Sequence, residues 1–186
     1  AMKRDINQFR DRVQKAKQSG YRTIACVYYS GHGMQIGGRN YLIPIAHQIE
    51  DQVDVEQEAY PTATLLKKLQ LASADVNLVI LDACRNNPFE RSLKGQVKDL
   101  FPELEEGLAD IGTPTVGTLI AYATAPGKVA NDGDGSNSPY AKALIKYLPQ
   151  AGITIEQVFR RVRNEVYGST RKTQTPWEAS SLMGDD

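Results

Sequence analysis

Residues Val76-Asn77-Leu78-Val79-Ile80-Leu81-Asp82 form an almost unbroken apolar run that gives way to Ala83-Cys84-Arg85-Asn86-Asn87-Pro88. A short apolar run bounded by turn residues is the pattern of a strand buried on both faces. The same pattern stands upstream at 23–30, Thr-Ile-Ala-Cys-Val-Tyr-Tyr-Ser, which stops at Gly31-His32-Gly33. It recurs downstream at 117–123, Gly-Thr-Leu-Ile-Ala-Tyr-Ala. Helical periodicity fills the intervals. Residues 3–19 place Ile6, Phe9, Val13 and Ala16 on one face before Gly20. Pro61 opens a helix to about Ala72 with Leu65, Leu66 and Leu69 inward, and two more helices span about 139–149 and 154–168. Strands alternating with helices predict an α/β fold with a mainly parallel sheet between two helical layers.

The remaining segments read as connections. Residues 35–46 suggest a small hairpin around Gly37-Gly38, and 47–60 an acidic loop. Residues 89–116 form a long, charged connection of the kind that is usually functional or mobile. A short final strand is expected at 177–182, with Trp177 near the site rim or the core. In the last helix Arg160, Arg161 and Arg163 read as a solvated basic face.

The 186 residues suit one domain with a buried core. Lys plus Arg equals Asp plus Glu at 22 each, which argues against a nucleic-acid or membrane-surface binder, since those carry a basic excess. No stretch approaches the ~18 apolar residues that a membrane span requires. The polar opening Ala-Met-Lys-Arg-Asp-Ile-Asn-Gln-Phe lacks an apolar signal region, so a soluble chain is expected and its compartment is not readable. Cys26 and Cys84 are the two cysteines, with no zinc spacing and no disulfide scaffold. Cys26, inside an apolar run, is expected to be a buried, inert thiol.

In parallel sheets the functional site lies at the carboxyl ends of the strands. His32 and Cys84 are each expected just past such an end, on two separate central strands. A thiol becomes a strong nucleophile when a neighbouring imidazole takes its proton, and the imidazolium can then protonate a leaving amine. The other histidine, His47, opens the acidic loop and reads as a solvated residue. An oxyanion would need preorganised N–H donors, for which the amides of Gly33 and Cys84 are the candidates. No Asp or Asn is assigned to orient His32.

These residues resemble a known family. Tyr28-Tyr29-Ser30-Gly31-His32-Gly33 is similar to the histidine motif of caspases, metacaspases and bacterial caspase-like proteins. Asp82-Ala83-Cys84-Arg85 resembles their cysteine motif, and Tyr122-Ala123-Thr124-Ala125-Pro126-Gly127 the segment after the next strand. The caspase histidine stands about 50 residues before the cysteine. The separation here is 84 − 32 = 52. The likeness runs from about residue 20 to the C-terminus, with Ala83–Phe89 and Asn137–Leu144 most like bacterial members. It implies a three-layer caspase-like fold and a cysteine endopeptidase acting on proteins or peptides through a His32–Cys84 dyad. It also implies one domain over 1–186, divided into a large-subunit-like half (1–90), an intersubunit-like loop (91–116) and a small-subunit-like half (117–186).

Departures from the caspase pattern carry a further expectation. Caspases cut after Asp, using a Gln two residues before the cysteine and an Arg after the Ala-Pro-Gly segment. This chain has Asp82 at the first position and Asp132 near the second. A carboxylate repels an acidic P1 side chain and pairs with a basic one. Metacaspases carry Asp at the position of Asp82 and cut after basic residues, so the resemblance implies cleavage after Arg or Lys. Self-cleavage at Arg91, Lys94 or Lys98 in the long connection stands level with a loop that is never cut. Asp132-Gly133-Asp134-Gly135 reads as a Gly/Asp turn rather than a calcium loop. No metal or other cofactor is predicted, although some metacaspases need calcium. In the family another strand and loop precede the helix that opens this sequence. The expected consequence is exposed backbone and apolar surface, completed by a second copy or by that N-terminal segment. The competing class is a catalytically silent caspase-like module that signals or scaffolds, against which the intact His–Cys pair argues.

Overall fold

The computed structural model describes residues 2–45, 49–84, 103–105, 108–112, 114–133 and 135–184. The elements run α1 (Met2–Gln18), β1 (Ile24–Ile36), β2 (Arg39–Leu42), α2 (Gln52–Glu58), β3 (Tyr60–Pro61), α3 (Thr62–Ala72), β4 (Val76–Cys84), β5 (Leu104–Glu105), β6 (Thr118–Tyr122), α4 (Pro139–Tyr147), α5 (Ile155–Ser169) and β7 (Trp177–Ser180). The sheet order is β3-β2-β1-β4-β6-β7, with β5 pairing β1 off this path. β1, β4 and β6 are parallel, and the flanking pairings with β2, β3, β5 and β7 are antiparallel. The sheet is therefore mixed, its parallel part confined to three central strands.

β4 meets the sequence expectation directly. Val79, Leu81 and Ala83 face one layer and Leu78 and Ile80 the other, all buried. Such alternation follows from the two-residue period of a strand. On one face α1 and α3 cover the sheet through Val13, Leu65, Leu69 and Ala72, with Ile6 and Phe9 packed alongside. On the other, α4 and α5 contribute Tyr140, Ala143, Leu144, Val158, Phe159, Val162 and Val166. Each fully buried Leu, Val or Phe contributes about 1.5–3 kcal/mol.

β1 departs from the expectation of a strand buried on both faces. Its α1/α3 side is covered, with Ala25 at 0% exposure, but Ile24 is 69% and Tyr28 48% exposed on the other side. Cys26 lies between them and is exposed, not buried. On that side α4 and α5 pack over β4 and β6, and the core cluster they form contains no residue of β1. Along Ile24–Gly31 the edge of β1 away from β4 likewise carries no strand among the described residues.

The β1–β2 hairpin closes through Gly37 and Gly38 at φ 53° and 70°, with Ile36 opposite Arg39. Two consecutive positive φ values are what a type I′ turn demands and what glycine supplies without strain. The acidic stretch expected as a loop contains α2, whose N-cap Asp51 accepts from the Asp54 N–H. Trp177 is 45% exposed on the edge strand β7 rather than packed in the core.

Candidate active site

β1 pairs β4 in parallel from Ile24↔Val76 to His32↔Cys84. His32 and Cys84 are thus register partners at the last step of the parallel ladder, on neighbouring strands that run about 4.8 Å apart. The expectation that both lie just past their strand ends is corrected. Cys84 is the final residue of β4, and β1 continues through His32 to Ile36. It continues because it changes partners: beyond His32 it leaves β4 and pairs antiparallel with β2 from Gly33↔Leu42 onward.

Backbone bonds fix this switch point. Ile43 N–H donates to the His32 carbonyl at 3.0 Å. The Tyr29 hydroxyl lies 2.7 Å from the same carbonyl and 2.9 Å from that of Ile43, sharing its one proton between them. Burial pushes the Tyr29 phenol up to about 12, so it remains a donor throughout the neutral range. The His32 side chain itself is exposed. Gly33 is buried, and a Cβ there would stand 3.1 Å from Ala83 Cβ and 3.2 Å from Leu108 Cδ2. Only glycine fits without displacing those neighbours.

Leu108 belongs to the far end of the long connection, which the structure partly organises. Leu104 and Glu105 pair with Ile36 and Gln35 of β1. Asn40 then holds Ala109 reciprocally, its side-chain amide donating to the Ala109 carbonyl at 2.9 Å and its oxygen accepting the Ala109 N–H at 2.6 Å. Arg91, Lys94 and Lys98 lie outside the described residues, as do His47 and Asp134.

Asp82 is 4% exposed, two residues before Cys84 on the α4/α5 side of the sheet. Its Oδ2 accepts from the Tyr28 hydroxyl at 3.0 Å and from Ser138 Oγ at 2.7 Å. Ser138 is also the N-cap of α4, where the same oxygen accepts the Ala141 N–H at 2.9 Å. Desolvation raises the Asp82 pKa, the two hydroxyl bonds oppose that rise, and the charge of Asp132 adds to it. Asp132 is exposed, on the loop that joins β6 to α4. Gln174, 0% exposed, anchors that loop. It donates to the Ala123 carbonyl at 2.8 Å and accepts the Asn131 N–H at 3.0 Å.

The structure thus brings His32, Gly33, Cys84 and Asp82 to one end of the β1–β4 pair, with Asp132 near enough to act on Asp82. Tyr28, Tyr29, Ser138 and Gln174 were not legible as site supports. Tyr28 and Tyr29 read as strand formers and Ser138 as one polar residue among several, and beyond the local bonds to His32 and Ala141 their partners are 14 to 56 residues away in sequence. Among the described residues no group of three or more His, Cys, Asp or Glu side chains could hold a metal ion. No described helix is long and apolar enough to cross a membrane.

A three-layer α/β/α fold with a Cys and a His in register at the last step of the ladder between adjacent parallel strands defines the class of caspase-like folds. The family model of the caspase domain matches residues 1–185, and the chain belongs to that family of cysteine peptidases. Among solved structures it is similar to caspase-1 from Spodoptera frugiperda, at 19% identity and a TM-score of 0.56, over 98% of this chain and 71% of that one. At that identity the likeness shows the fold. No curated protein matches the chain significantly.

Proposed function

We propose that the chain is a cysteine endopeptidase that cleaves after Arg or Lys through a Cys84–His32 dyad. The observation that carries this reading is the shared register of His32 and Cys84 at the end of the parallel ladder, with the buried carboxylate of Asp82 two residues behind the cysteine. In the proposed reaction His32 takes the Cys84 proton, and the thiolate sulfur attacks the peptide carbonyl carbon. The amides of Gly33 and Cys84 would receive the oxyanion. Collapse breaks the C–N bond, His32 gives its proton to the departing amine, and a thioester remains. Water, deprotonated by His32, then hydrolyses the thioester and restores the thiol.

Asp82, with Asp132 as the outer carboxylate, would select the basic P1 side chain. A buried carboxylate held by hydroxyl donors favours a cation and rejects a P1 carboxylate by like-charge repulsion. Substrates are accordingly proteins or peptides, and no cofactor is needed for the steps above.

The test is hydrolysis of fluorogenic peptides ending in Arg, Lys or Asp, with Cys84→Ala as control and with calcium added and withheld. Turnover of the basic peptides alone, lost in Cys84→Ala, is the expected result. Cleavage after Asp would keep the peptidase and remove the role of Asp82. Absence of turnover with every peptide would favour the silent binding module.

A further inference from the structure

We infer that Ser138 and Tyr28 are positioning residues for the P1 pocket, which saturate one oxygen of Asp82 and leave the other as the single point of contact for a P1 cation. The inference rests on the proposed basic specificity and says how that specificity is built.

Among the described residues, both hydrogen bonds that reach the Asp82 carboxylate fall on Oδ2. A carboxylate oxygen offers about two lone-pair sites. Oδ2 is therefore filled by Tyr28 and Ser138, whereas Oδ1 accepts no bond among the described residues. An arginine gains its usual advantage over lysine by forking across both oxygens of a carboxylate. Here the fork would have to displace one of the two hydroxyls. Lysine, a compact point charge, needs only Oδ1. The arrangement thus fits Arg and Lys at P1 with little preference between them.

Ser138 is placed to do this by its second role. As N-cap of α4 its oxygen is fixed by the Ala141 N–H, so its proton is aimed at Asp82 rather than free to rotate. Tyr28 reaches Oδ2 from β1, two residues before Ser30, the register partner of Asp82. The groups facing Asp82 are then Tyr28 from β1, Ser138 and Tyr140 from the start of α4, and Asp132 from the preceding loop. The two bonded hydroxyls stabilise the ionised carboxylate, and Asp132 opposes it. Removing either hydroxyl raises the pKa of Asp82, so a basic side chain is released at a higher pH.

The experiment uses the Cys84→Ala chain, so that binding is read without turnover. Blocked peptides with Arg, Lys or norleucine at P1 are titrated by calorimetry from neutral pH into the acid range. The parent is expected to bind Arg and Lys peptides within a few-fold of each other and the norleucine peptide far more weakly. Tyr28→Phe and Ser138→Ala should each weaken both basic peptides in the acid range, where the less stabilised carboxylate takes up its proton first. Each should also move the acid loss of binding to higher pH and raise the Arg-to-Lys ratio. Ser138→Thr should restore all three. Tyr28→Phe caps no helix, so it keeps the test valid if Ser138→Ala unfolds. Variants that bind like the parent, or that weaken without a shift in pH or ratio, would overturn the inference while leaving basic specificity intact. A parent that binds norleucine as well as Arg, or binds none of the three, would sink the basic-pocket reading itself before any variant is compared.

Discussion

At the scale of single residues, the neighbourhood of His32 depends on a hydroxyl on the opposite face of the strand. Tyr29 spans the carbonyls of His32 and Ile43 at the point where β1 changes partners. Tyr29→Phe removes the only atom that makes these bonds and leaves the ring in place. The expected loss is about 1–2 kcal/mol of stability, read as a lower urea midpoint at unchanged slope. If the bond also holds the His32 backbone in place, peptide turnover should fall with little change in KM. An unchanged midpoint would mean that water replaces the hydroxyl without cost. The candidate dyad was legible because its residues carry their chemistry in their type: one His and one Cys, each at the end of an apolar run. Tyr29 was not, because a strand tyrosine looks the same whether its hydroxyl meets water or a carbonyl 14 residues away.

At the scale of elements, signals that are local in sequence were readable and those that depend on partners were not. α5 shows the first kind. Its N-cap Thr154 and Gln157 form a reciprocal capping box, and Val158, Phe159, Val162 and Val166 bury one stripe. Thr154→Ala should cost about 1 kcal/mol through the lost cap, measured as a fall in thermal midpoint, whereas Thr154→Ser should not. A fall as large in Thr154→Ser would point to the methyl group instead. α2 shows the second kind. Its seven residues, Gln-Val-Asp-Val-Glu-Gln-Glu, hold too little apolar periodicity to announce a helix, and only Val55 is buried. The basic face of α5 was half right. Arg161 bonds the exposed Gln150 side chain, but Arg163 turns to the Pro176 carbonyl and to Glu178, fastening β7 to the helix. β1 outran its expected end because glycines that usually stop a strand here serve a change of partner, visible only once β2 is in place.

At the scale of the whole molecule, the alternation of apolar runs and amphipathic helices was enough for the layers and for bringing the candidate site residues to one end of the sheet. It could not give which strand each helix covers, and so missed that β1 leaves Ile24, Cys26 and Tyr28 exposed. One carboxylate at the opposite end of the sheet ties three elements together and makes that assembly sensitive to acid. Asp75, just before β4, accepts from the Thr23 N–H at 2.8 Å and the Thr23 hydroxyl at 3.1 Å, and it pairs with Lys17 at the end of α1. The Lys17 ammonium, followed by the Thr23 amide, lowers its pKa from 3.8 to about 2. Because the folded value lies below the unfolded one, this contribution is fully present above the unfolded pKa and disappears as the pH falls through about 2. Asp75→Asn keeps the size of the side chain and an acceptor for Thr23 but removes the charge. It should lower the urea midpoint at neutral pH, and the gap from the parent should close as both proteins approach pH 2. Salt should narrow the neutral-pH gap as well, since the pair is only partly shielded from solvent. A gap that persists unchanged into acid would assign the role of Asp75 to hydrogen bonding alone, and the link between α1 and the sheet would then owe nothing to charge.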